Sequence, residues 1–230
     1  MNEFLLILSL LLIYGSVLAA YRFFGKTGLY GWTVFATITA NIEVLLLVEA
    51  FGMEQTLGNV LFASTFLVTD ILSEKYGKKA AQVSVNLGVA ASLMFIVLSQ
   101  LWLLYIPAAN DWAAPSFHVI FSNTPRIMLA SLLVYAVVQR FDVWAYHKWW
   151  DFTKKRFGDS GRFLWLRNNG STLISQLLNT LLYSFGAFAG LYDLGTLLSI
   201  CLSSYLIFIV TSLADTPFVY WARKISPKGE

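Results

Sequence analysis

NNGSTLISQLLNTLLYSFGAFAG, residues 168–190, runs for 23 residues without an aspartate, glutamate, lysine, arginine or histidine. At about 1.5 Å per residue, such a length crosses the roughly 30 Å hydrocarbon of a bilayer as a helix. Its polar residues are ordered. Asn168, Thr172, Ser175, Gln176, Asn179 and Tyr183 recur at steps of three and four, which puts them on one helical face. The opposite face is rich in leucine and suits lipid. A membrane helix with one polar face predicts a bundle with a polar interior.

Six more apolar stretches flank it: 4–24, 29–50, 57–74, 80–105, 125–147 and 194–221. The whole chain of 230 residues is 57% hydrophobic and 13% charged, with mean hydropathy +0.65. A soluble domain carries about 25% charged residues. The composition excludes a disordered chain, a basic nucleic-acid-binding domain and an ordinary soluble enzyme. The expected fold is all-α, a polytopic integral membrane bundle of about seven transmembrane helices, with six as the alternative. One transmembrane domain is expected over 1–230. The start, Met1-Asn2-Glu3, is acidic, whereas a secretory signal opens with positive charge.

Charge placement favours seven spans. Fourteen of the 16 lysines and arginines lie after the first, third, fifth and seventh stretches. The other connections carry Glu54, Asp111 and Asp193. The positive-inside rule then places the N-terminus outside and the C-terminus in the cytoplasm. The outer connection 106–124 is expected to hold a short interfacial helix, and the basic connection 151–166 to lie inside beside anionic lipid. Trp149, Trp150 and Trp165 read as interfacial anchors, and His118 and His147 as polar boundary residues.

Polar groups inside spans are costly and mark functional candidates. Span five carries Tyr135, Gln139, Asp142 and Tyr146 on one stripe. Span seven carries Ser204, Thr211 and Asp215. Span three has Asp70 and Glu74 one turn apart, with Thr65 and Thr69 beside them. Span two offers Asn41 and Glu43. Arg126 opens span five, and Arg140 projects away from Asp142, two residues on. The bland reading is a hydrogen-bonded bundle interior. The functional reading is a polar cavity for a small polar solute. Phosphate-binding, zinc-protease and serine-hydrolase signatures are absent from the sequence, and Cys201 is the single cysteine. Neither an enzyme, a catalytic residue, a metal site nor a cofactor is expected.

Four motifs in order resemble the queuosine precursor transporter family, also called the vitamin uptake transporter family. They are FLVTDILSEKYGKK (66–79), PRIMLASLLVYAVVQRFDVWAYHKW (125–149), LWLRNNGSTLISQLLNT (164–180) and DTPFVY (215–220). The resemblance runs from about Thr37 to Tyr220. It implies a bacterial inner-membrane importer of 7-deazaguanines, such as 7-cyano-7-deazaguanine, 7-aminomethyl-7-deazaguanine or queuine, which feed queuosine modification of tRNA. It carries over Asp70, Glu74, Arg126, Gln139, Asp142, Arg167, Asn168, Asn169, Ser171, Thr172, Gln176 and Asp215. The family pattern has an acid at the position of Asn179 and a lysine at that of Phe208; both are neutral here.

A deazaguanine is flat, with an edge of N–H donors and one carbonyl. A carboxylate can accept the paired N–H groups, an amide can reach the carbonyl, and a ring can cover the face. The expected substrate-binding residues are Asn41, Glu43, Asp70, Gln139, Asp142, Asn168, Asn169, Thr172, Gln176 and Asn179, with Glu43 or Asp70 at the N–H edge and Tyr135 or Tyr183 stacking. Glu74, Arg126, Arg140, Arg167 and Asp215 are expected to gate or couple. The expected partners are a small-molecule base and membrane lipid, without nucleic acid; a homo-oligomer is compatible with the sequence. The alternative is a substrate-binding subunit that needs an energising partner.

Overall fold

The computed structural model describes residues 1–122, 125–158, 163–190 and 192–228, and only the backbone of Glu54, Pro125 and Arg126. Seven helices and one short hairpin follow in the order α1 (Asn2–Glu43), β1 (Leu47–Ala50), β2 (Met53–Thr56), α2 (Gly58–Tyr76), α3 (Lys78–Trp102), α4 (Ala114–Ser122), α5 (Pro125–Phe157), α6 (Leu164–Phe188) and α7 (Leu194–Lys224). It is a helical membrane protein. α1, α3, residues 127–157 of α5 and α7 are each long and apolar enough to cross a bilayer. Their outward leucines and valines, among them Leu12, Leu133, Leu202 and Val210, are exposed, as lipid-facing side chains should be.

The first two expected spans are the two limbs of α1. At Gly25 the backbone takes φ 57° and ψ −140°, a region that a residue with a Cβ rarely enters. The chain turns back there. Asn2 Nδ2 donates to the Glu49 carbonyl at one end, and Arg22 Nη1 donates to the Ser226 carbonyl at the other. Ile13 of the first limb and Trp32 of the second pack on the same cluster of Ala36, Ala40 and Leu61. The turn is tight because Gly28 has no side chain. A Cβ built there would lie 2.2 Å from the Ala20 carbonyl oxygen. Backbone cannot swing aside as a side-chain tip can. Gly28→Ala is therefore expected to destabilise the protein by about 1–3 kcal/mol, as overpacking does. Thermal unfolding in detergent checks this, and an unchanged midpoint would contradict it.

The second limb ends at Glu43, seven residues before the expected boundary at Ala50. Leu47–Ala50 pairs antiparallel with Met53–Thr56 around Phe51 and Gly52, both at positive φ (55° and 70°). Two such residues make the hairpin turn whose twist matches its strands. The apolar run LLLVEAFGM hides this, since hydropathy alone does not separate a short strand from helix.

α4 is the short helix expected in 106–124. Its Phe117 and Phe121 rings pack edge-on against Trp102, and Phe121 also against Phe95. α5 is longer than expected. Residues 151–157, read as loop, continue the helix, giving α5 33 residues. The rest of the basic connection, including Arg162, lies partly outside the described residues.

The connections separate into two ends. One holds the hairpin, α4 and the α6–α7 turn, where Asp193 caps α7 by accepting from Thr196 N–H at 3.1 Å. That bond and the Thr196 hydroxyl hold the Asp193 carboxyl below its ordinary range. The other end holds Gly25, the α2–α3 turn and the C-terminal tail. Lys75 Nζ there donates to the Arg223 carbonyl at 3.3 Å, and Lys228 N–H to the Arg22 carbonyl at 3.0 Å.

Candidate functional site

The polar stripes of α2, α5, α6 and α7 meet in the bundle. Asp70 of α2, Gln139 and Asp142 of α5, Asn168, Thr172 and Gln176 of α6, and Asp215 of α7 are all at most 1% exposed. Asn168 Nδ2 donates to Asp215 Oδ1 at 2.7 Å, and Asn169 Nδ2 to Thr216 Oγ1 at 2.7 Å. Pro217, inside α7, lacks the N–H that would bond to the Leu213 carbonyl. The helix runs on through this point with one backbone hydrogen bond fewer, close to Asp215. Thr172 donates to Asp70 Oδ2 at 3.4 Å, and Gln139 Nε2 to Thr65 Oγ1 at 2.6 Å.

Several of these groups have acceptors to spare. Both oxygens of Asp142, Asp70 Oδ1, Asn168 Oδ1 and Gln176 Oε1 lack a hydrogen-bond partner among the described residues. Ser171 and Ser175 face Asp142. Each, however, gives its one hydroxyl proton to a carbonyl one turn back, of Arg167 and Ser171 respectively, at 2.8 Å. The three aspartates also act on one another's charge. Buried acceptors without donors are costly, and a cation, a proton or a donor-rich solute would relieve that cost.

Toward the basic end the same four helices build a second cluster. Arg167 is fully buried and grips Glu74, with Nη2 at 2.8 Å from Oε1 and 2.7 Å from Oε2. Tyr146 donates to Glu74 Oε2 at 2.9 Å, and Arg223 Nε lies 3.4 Å from Oε1. The Arg167 guanidinium sits 4.3 Å over the Trp150 ring. Trp150, read from sequence as an interfacial anchor, is also a wall of this cluster. His147 stacks on its ring at 5.8 Å.

A narrow cavity of about 80 Å³ lies on the other side of the polar layer, lined by Phe62, Asn179, Tyr183, Phe188, Ser204 and Phe208 among others. Through Val44, Thr56 and Ile200 it joins a wider space of about 580 Å³ under the hairpin. The wider space falls within the roughly 300–1,000 Å³ of small-molecule sites, which have mostly apolar walls and few polar groups. Phe62 lies edge-on to Tyr135 at 6.1 Å and tilted to Phe208 at 6.2 Å.

Of the expected binding residues, Asn179 is the one on the cavity wall. Phe208 shares that wall, so the two positions neutral here border one space. Asp70, Asp142, Gln139, Asn168, Asn169, Thr172 and Gln176 form the layer below. Asn41 stands apart, its Nδ2 bonded within its own helix to the Thr37 carbonyl at 2.7 Å. Glu43 is half-buried at the end of α1, outside both groups. Tyr183 lines the cavity, whereas Tyr135 is buried behind Phe62. Arg140 is exposed and donates to Asn86 Oδ1 of α3 at 3.0 Å, away from Asp142 as its spacing predicts. The side chain of Arg126 lies outside the described residues. Phe62 and Phe188 escaped the sequence reading because one aromatic on an apolar helix carries no periodic signal.

A family profile described as "putative vitamin uptake transporter" matches residues 56–222. The chain is 41% identical over 214 residues to a Bacillus subtilis (strain 168) protein named "probable queuosine precursor transporter". The match covers 93% of this chain and 91% of that protein. No solved structure matches the chain at a significant level.

Proposed function

The chain belongs to the vitamin uptake transporter family, and from that premise we propose that it imports 7-deazaguanine precursors of queuosine by alternating access. The observation that carries this reading is the cavity that rises to the hairpin and stops above the buried polar layer. It has walls for a flat base. Phe62, Tyr183 and Phe208 offer ring faces and edges, and Asn179 offers an amide. The B. subtilis relative's printed substrate supports the same class.

The chain works as one transmembrane unit in a bacterial inner membrane, with seven crossings, the hairpin end outside and the basic end in the cytoplasm. The clustering of basic residues at one end supports this sidedness. In this arrangement the described state faces outward. The Glu74–Arg167–Tyr146 cluster closes the cytoplasmic side, and inward opening must part α2 and α5 from α6 there. Asp70, Asp142 and Asp215 are the candidates to accept the solute or a coupling cation as the route opens.

The test is rescue. The chain is expressed in a bacterium that neither makes queuosine nor imports its precursors, with the downstream enzymes supplied. Each deazaguanine is added at low concentration and queuosine in tRNA is measured. Rescue by at least one precursor is expected without any co-expressed ATPase. Rescue only with an energising partner would favour the binding-subunit alternative, and no rescue with protein in the membrane would refute the assigned substrate class.

A further inference from the structure

None of the described residues lining the cavity or the space above it is Asp, Glu, Lys, Arg or His. The described carboxylates Asp70, Asp142 and Asp215 lie beneath the cavity and are absent from its wall. Polarity on the wall comes from neutral groups: the Asn59 and Asn179 amides, the Tyr183 phenol, and the Ser131, Thr180 and Ser204 hydroxyls. A cation entering such a space loses hydration and finds no countercharge among the described lining residues, which is strongly unfavourable. A neutral flat base costs much less to desolvate than a cation and gains ring contact.

We propose that this cavity selects heteroaromatic bases whose substituent is uncharged, and that Asn179 sets the choice. Among deazaguanines it takes the 7-cyano compound and discriminates against the protonated 7-aminomethyl compound. The inference rests on the transport reading above and adds its specificity. Asn179 is the position where a carboxylate would change that specificity. It is 7% exposed, on the cavity side of α6, opposite the rings of Phe62 and Phe208.

Free base inside the cell is measured at early times, so that downstream enzymes do not enter the result. In the host described above, the neutral nitrile is expected to reach half-maximal entry at a concentration about tenfold lower than the amine. Asn179→Asp is expected to raise entry of the amine and narrow or reverse that ratio. Ser204→Asp, on the facing helix, makes the same prediction if the first variant does not reach the membrane. Equal entry in the unaltered protein, or preference for the amine, would overturn the selectivity and leave the transport reading standing. So would a ratio unmoved in variants present in the membrane. Entry of neither base overturns this inference, and the transport reading falls with it if queuine also fails to enter.

Discussion

Arg167→Ala lowers the stability of the detergent-solubilised protein by about 3–5 kcal/mol, the loss typical when one partner of a buried pair is removed. The side chain is fully buried and bonds Glu74 through two donors. Without it Glu74 keeps the Tyr146 hydroxyl and a longer contact to Arg223, too little for a carboxylate 6% exposed. Packing over Trp150 is lost as well. A fall in thermal midpoint on the order of 10 °C is expected. The double change Glu74→Gln with Arg167→Gln should cost clearly less than the two single changes combined, because neither charge is then stranded. Transport should fall in every one of these variants if the cluster closes the cytoplasmic side. A fully additive double variant would show that Glu74 and Arg167 act independently and would remove the closure argument.

This cluster also shows what a sequence discloses. Glu74 and Arg167 are 93 positions apart, and no periodicity pairs them. Each was legible alone as a charge near a span end. The stripes of α5 and α6 were legible in full, since a three-and-four spacing fixes a face whatever the face meets. That α2 and α7 bring Asp70 and Asp215 to the same place follows from packing, which hydropathy does not encode. The hairpin and the early end of α1 were hidden for a different reason. An apolar strand and an apolar helix have one composition, and the deciding signal was local, Phe51-Gly52 at positive φ. The cavity wall was the least legible part. Its aromatics sit among many others, and the polar residues that drew attention lie one layer deeper.

Asp142→Asn is the change that separates stability from transport. Both Asp142 oxygens are buried, and the hydroxyls of Ser171 and Ser175 are the donors beside them among the described residues. Its serine neighbours are committed to backbone carbonyls, and Asp70 and Asp215 lie close enough to oppose its charge. Such a group does little for the fold. An isosteric amide removes the formal charge and keeps the volume, so stability should stay within about 1 kcal/mol of the parent or rise. If the layer is the step between the cavity and the cytoplasmic cluster, the carboxylate is needed for passage. Uptake should then fall by about tenfold or more, the effect of losing one charged contact worth roughly 1.5–3 kcal/mol. Asp215→Asn should behave differently, because Asp215 accepts the Asn168 amide at 2.7 Å. There stability and uptake should fall together. The informative readout is the pair of measurements on each variant. Normal uptake by a stable Asp142→Asn protein would place the route elsewhere and return the layer to the bundle's structural interior.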